Sequence, residues 1–102
     1  MSDEQLQHIE ILDEFVGNVL KAMSDDDSLI VHSDHGGHDR MHGTDSPEDM
    51  TIPWMAYGKG IRTNYEIQAE VSLLNTAPTI ARMLNIEAVQ TWDGTILEEI
   101  FQ

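Results

Sequence analysis

Cysteine is absent from this 102-residue chain, so neither a disulfide framework nor a thiolate metal site is available to it. Any metal ion bound here must use nitrogen and oxygen donors. Basic residues are scarce: Lys21, Arg40, Lys59, Arg62 and Arg82 stand against nineteen aspartates and glutamates, giving a net charge of −14 at pH 7. Proteins that grip nucleic-acid phosphates cluster their lysines and arginines, and these five are scattered, which excludes a nucleic-acid duplex as a partner. The same shortage argues against an anionic membrane surface. Long apolar runs are also missing, so no segment is suited to spanning a bilayer. Met1-Ser2-Asp3-Glu4-Gln5 has neither the basic start nor the apolar stretch of a signal peptide. The chain as written reads as soluble, its compartment is not fixed, and a leader ahead of Met1 would make the protein periplasmic or secreted.

The composition is otherwise globular, with 40% apolar and 24% charged residues. The length suits one modest core and is too short for a large enzyme domain.

Ser2 followed by Gln5 reads as a capping box, with Asp3 and Glu4 in the first turn where the helix dipole favours negative charge. Leu6, Ile9, Leu12, Phe15, Val16, Val19, Leu20 and Met23 then recur at a helical period, predicting a helix with one buried face. Ser24-Asp25-Asp26-Asp27 ends it in a solvated turn; the run lacks the alternating ligands, central glycine and distal glutamate of a calcium loop. Leu29-Ile30-Val31 predicts a short strand buried on both faces. A long loop runs from Asp34 to Thr51, and loops of that length in compact domains are usually functional. Ile52 to Tyr57 reads as a second strand closed by Gly58-Lys59-Gly60. A further helix is expected within 71–84, capped by Asn75 or Thr76, with Pro78 in its first turn, Ile80, Met83 and Leu84 as its apolar face and Asn85 as a left-handed stop. Thr91 to Phe101 reads as a turn and a short amphipathic closing segment. The order of elements predicts an α/β layered architecture.

Four of the five histidines fall between Val31 and Gly43, in the run His32-Ser33-Asp34-His35-Gly36-Gly37-His38-Asp39-Arg40-Met41-His42-Gly43. Imidazole nitrogen and carboxylate oxygen suit zinc, manganese and related divalent ions. Inside a strand Asp34 and His35 would face opposite ways, but just past its end, where Gly36-Gly37 can bend the chain, both can reach one ion. The C-terminal end of a central strand is also where open α/β sheets keep their ligand sites. His38 and His42 have the spacing of a helical zinc pair, although the glycines around them oppose a helix. His38 reads as an ordinary loop histidine, with support of a metal ligand or contact with substrate as the alternative. Arg40 suits an anionic substrate or a pairing with Asp39 or Asp45. His32 is expected to be packed or hydrogen-bonded, and His8 to lie on the surface. Trp54, Tyr57 and Trp92 read as core rather than as stacking platforms.

Ser33-Asp34-His35-Gly36-Gly37, then His42-Gly43 with Glu48-Asp49 and Ile52-Pro53, then Gly58-Lys59-Gly60-Ile61 follow one another in an order that resembles the alkaline phosphatase superfamily. Thr76-Ala77-Pro78-Thr79-Ile80-Ala81, Leu84 and Trp92-Asp93-Gly94 continue the resemblance, which is strongest to the type I phosphodiesterase/nucleotide pyrophosphatase and sulfatase-like branch. Asn75 stands where that family often has aspartate, and Asn85 where it tends to have glycine.

The resemblance implies a three-layer α/β/α sandwich and a site with two divalent metal ions, zinc first, with manganese or calcium as alternatives. Asp34 and His35 would be ligands of one ion and His42 of the other, acting on a small anionic ester. No serine or threonine of this chain stands where the family's nucleophile would be. Residues 1–102 are therefore expected to form the C-terminal part of one metal-dependent hydrolase domain, with the N-terminal half that carries the nucleophile absent and the isolated chain inactive. A phosphodiesterase or nucleotide pyrophosphatase is the preferred activity and a sulfatase-like sulfuric ester hydrolase the alternative; the mutase branch uses similar ligands. A reading from another class is a non-catalytic metal-binding or interaction module.

Overall fold

The computed structural model describes all residues from Met1 to Gln102. Helix α1 spans Asp3–Ala22, and Ser2 caps it by accepting the Gln5 N–H at 3.2 Å. The Asp27 carboxylate closes the following turn by accepting from the Ser24 N–H at 2.7 Å and its hydroxyl at 3.0 Å. Strand β1, Ser28–His32, pairs antiparallel with β2, Trp54–Gly58, in a register that sets Ile30 opposite Ala56 and His32 opposite Trp54. Between the strands the chain makes one short helix, α2, over Pro47–Met50. Helix α3, Thr76–Met83, follows a 3-10 turn at Leu73–Asn75, and another 3-10 turn at Glu98–Ile100 precedes the C-terminus.

The core lies on the β2 side of the molecule. Ile61, Leu97 and Ile100 are buried together, and Trp54, Ala56, Ile67, Val71, Met83 and Phe101 pack around them. The C-terminal residues return to the turn after β2, where Arg62 N–H donates to the Ile100 carbonyl at 2.8 Å and Gln102 N–H to the Gly60 carbonyl at 2.9 Å. Thr79 is fully buried because its hydroxyl has work there, accepting the Leu97 N–H at 3.0 Å. Trp54 reaches across with its indole N–H to Thr76 Oγ1 at 3.0 Å. Helix, strand, loop, strand and helix thus follow the predicted order, and the chain is α/β.

Five expectations need correction. Tyr57 and Trp92, expected in the core, are 57% and 43% exposed. No residue of α1 is buried, and Leu6, Ile9, Leu12, Phe15, Val19 and Leu20 are 40% to 60% exposed, so the predicted apolar face has no cover within the chain. β1 is only half-buried, because its one hydrogen-bonded neighbour is β2. Asn75 precedes α3 without capping it: its side chain accepts the Ser72 N–H at 2.6 Å and donates to the Thr95 carbonyl at 2.8 Å, closing the preceding turn instead. α3 buries its small and hydroxylic side, Thr76, Pro78, Thr79 and Ala81; of the predicted apolar face Met83 packs against the core, while Ile80 and Leu84 are 39% and 63% exposed. Asn85 does adopt the left-handed conformation, at φ 54°.

Candidate metal centre

β1 ends at His32, and the next residues hold a tight turn with their own polar groups. The Ser33 hydroxyl donates to the His35 carbonyl at 2.6 Å, and the Asp34 carboxylate accepts the His35 N–H at 3.0 Å. The His35 ring lies 2.6 Å from the Gly36 carbonyl through Nδ1. A carbonyl only accepts, so Nδ1 carries the proton and Nε2 keeps its lone pair for an electrophile. That Nε2 sits 3.8 Å from Asp34 Oδ1. The His35 and Asp34 side chains are 48% and 85% exposed.

From Gly36 the loop is stitched to α2. Gly36 N–H donates to the Asp49 carbonyl at 2.8 Å, and Gly37 N–H to the Glu48 carbonyl at 2.9 Å. Any side chain at position 36 would overlap the Glu48 carbonyl oxygen, so its glycine is required by close approach of two backbones rather than by an unusual φ. His38 and Met41 exchange backbone hydrogen bonds of 3.0 and 2.8 Å around a turn in which Asp39 adopts φ 51°. The chain then reaches His42, whose ring stacks on that of His35 with centroids 4.1 Å apart and planes 12° apart. Residues seven positions apart in sequence are thereby brought face to face.

Asp49 underlies this arrangement. It is only 4% exposed, and its carboxylate accepts from His38 Nδ1 at 2.7 Å, from Thr44 N–H at 2.8 Å and from Thr44 Oγ1 at 2.7 Å. The Thr44 hydroxyl, then the His38 ring, hold the Asp49 carboxyl down at a pKa of about 2. In return, the hydrogen bond to Asp49 raises the His38 pKa above its ordinary value, and the charges of Asp49, Asp39 and Glu48 add to it. His38 is thus tied to a buried carboxylate and is not the free loop histidine expected of it. Arg40 forms no ion pair with Asp39 or Asp45 and is exposed. His32 turns away, with Nδ1 donating to the Ser33 carbonyl at 2.8 Å, and His8 lies exposed on α1 as expected.

Asp34, His35 and Asp49 line a cleft of about 540 Å³ whose far wall is formed by Glu70, Val71 and Ser72. The donor types, one carboxylate and two imidazoles with a free Nε2 on His35, fit a divalent ion. Their number does not complete a site: no three of the histidines, aspartates and glutamates converge closely enough to hold an ion by themselves. No helix is long and apolar enough to cross a membrane.

Asp34 and His35 follow the end of β1, and a glycine-bearing loop folds His42 onto His35, at the strand end where open α/β sheets keep their ligand sites. The chain belongs to the Metalloenzyme superfamily, whose family model matches residues 2–88. It is 33% identical over 82 residues to the phosphopentomutase of Clostridium novyi (strain NT), covering 80% of this chain and 21% of that protein. It is 35% identical over 78 residues to that of Alkaliphilus oremlandii (strain OhILAs), covering 76% and 20%. To that of Agathobacter rectalis it is 30% identical over 95 residues, covering 92% and 24%. The chain therefore spans about a fifth of the length of the curated relatives it matches. No solved structure matches it significantly. The alkaline-phosphatase-like superfamily expected from the motifs is borne out, whereas its phosphodiesterase or sulfatase branch is not singled out by these relatives.

Asp34, His35 and His42 are legible in the sequence as candidate ligands, whereas Asp49 is not. Ser46-Pro47, a capping residue followed by a proline suited to the first helical position, was the available signal for α2, which places Asp49 under the loop.

Proposed function

We propose that these residues supply part of a two-metal site for phosphoryl transfer from phosphate esters, with Asp34 and His35 on one divalent ion and His42 on the other. The observation that carries this reading is the stacking of His35 and His42 at 4.1 Å beside Asp34, at the end of a strand. Two such ions, zinc or manganese, about 4 Å apart would activate a hydroxyl nucleophile and neutralise the ester's oxygens. His35 is held in the ligating tautomer by the Gly36 carbonyl, and Asp34 brings the negative charge that a cation requires. His38 and Arg40, on the loop between His35 and His42, are assigned to the ester's anionic oxygens, where each would act as a hydrogen-bond donor.

The nucleophile and the remaining ligands are assigned to residues outside these 102, in one domain with a three-layer α/β/α architecture. The incomplete ligand set, the uncovered face of α1 and the fraction of the relatives' length that is matched all support that assignment. Within phosphoryl transfer, the names of the relatives favour a mutase over the phosphodiesterase-like hydrolysis, with water as the final acceptor, that the motifs suggest.

A substrate panel on the full-length protein loaded with zinc or manganese separates these. A phosphate moved between positions of a pentose phosphate is the expected result. Phosphodiester cleavage with release of product would assign a phosphodiesterase, and preferential cleavage of a sulfate ester would assign a sulfatase. No turnover and no metal in the purified protein would leave the non-catalytic module.

A further inference from the structure

We infer that Asp49 is the positioning residue of this site, the group that sets His42 against His35. The inference rests on the assignment of Asp34, His35 and His42 as ligands and adds a residue that touches none of them through its side chain. The loop leaves His35 through Gly36, whose N–H is held by the Asp49 carbonyl at 2.8 Å. Midway, His38 Nδ1 is held by Asp49 Oδ1 at 2.7 Å. Two residues past His42, Thr44 is held by Asp49 Oδ2 through both its N–H, at 2.8 Å, and its hydroxyl, at 2.7 Å. A single residue thus grips the departing, middle and returning parts of the segment that carries both imidazoles.

The grip is strong for a physical reason. The Asp49 side chain is 1% exposed, and hydrogen bonds to an ionised acceptor shielded from water are stronger than neutral ones at the surface. No buried polar side-chain atom of the chain lacks a partner, so the Asp49 network is fully satisfied. Displacing Thr44 would free Gly43, which already sits at φ 94°, and with it the direction of His42.

The test uses the full-length protein with Asp49→Asn, Thr44→Val and Thr44→Ser. Asparagine offers an acceptor to only one of the two flanks, valine removes the hydroxyl's bonds to Asp49 and from the Ser46 N–H, and serine restores them. Metal affinity is measured by chelator competition. The upfield ring-current shifts of the stacked His35 and His42 protons are read by NMR in the metal-free protein, together with its melting temperature. Asp49→Asn and Thr44→Val are expected to weaken metal binding roughly 10- to 100-fold and to erase the ring-current shifts, and Thr44→Ser to recover both. A fall in melting temperature with metal affinity and ring shifts intact would overturn the inference and leave Asp49 as a stabilising residue only. His42→Ala is the control. If it binds metal as the parent does, the ligand assignment fails, and the ring shifts of the Thr44 and Asp49 variants still decide whether Asp49 positions the two rings. Thr44→Val, which removes one hydroxyl from an otherwise complete network, serves if Asp49→Asn does not fold.

Discussion

His42→Ala in the full-length protein is expected to abolish ester turnover and to lower bound metal, while leaving the fold intact. His42 stacks on His35 and makes no hydrogen bond of its own, so its removal costs the protein little packing. Its loss to the site is much larger. A metal ion contributes several kcal/mol of charge stabilisation in the transition state, and each 1.36 kcal/mol is a factor of ten, so a fall of about 10³-fold or more is the expected size. Metal content measured on the same preparation separates a lost ligand from a general defect: about half of the parent's metal retained, with an unchanged melting temperature, is the predicted pair of results. Parent-like turnover with parent-like metal content would remove His42 from the site.

The 102 residues produced alone are expected to melt broadly, without a single cooperative transition, or to associate. Ile61, Pro78, Ala81, Leu97 and Ile100 are the only buried apolar residues, and no side chain larger than that of Thr79 is completely enclosed. Seven large apolar residues along α1, Ile11 among them, face water, and β1 has a hydrogen-bonded neighbour on one edge alone. Exposed apolar surface of that extent marks an interaction face. A domain of this length that folds completely unfolds with an enthalpy of ~60–80 kcal/mol, and the chain alone should show less than about half of it by scanning calorimetry. A sharp, reversible transition of a monomer in the absence of metal would contradict the assignment of these residues to a larger domain.

What was legible in the sequence was local. Ser2 and Gln5 are three residues apart, and one half of the capping box they predict is present, the Ser2 hydroxyl accepting the Gln5 N–H. Asn85 needs only its own backbone preference to stop α3, and it does so. Asp34-His35-Gly36-Gly37 could be placed at a strand end because the apolar run before it is short and ends abruptly. The misread features depend on partners far along the chain. Asp49 reaches His38 eleven residues away, Asn75 reaches Thr95 twenty away, and Thr79 reaches Leu97 eighteen away. Nothing in the spacing of such pairs marks them, since each is a polar residue that also suits solvent. Gly36 was assigned to bending the chain, and its actual role is the approach of Glu48 and Asp49, a contact that exists only once α2 is folded. The periodicity of α1 correctly identified an apolar face but could not say what covers it.

Anomalous diffraction from crystals of the full-length protein, collected at the zinc or manganese edge, tests the central claim most directly. Two peaks about 4 Å apart are predicted, one within bonding distance of Asp34 and His35 Nε2 and the other beside His42. Peaks located elsewhere, with these three side chains free, would contradict it.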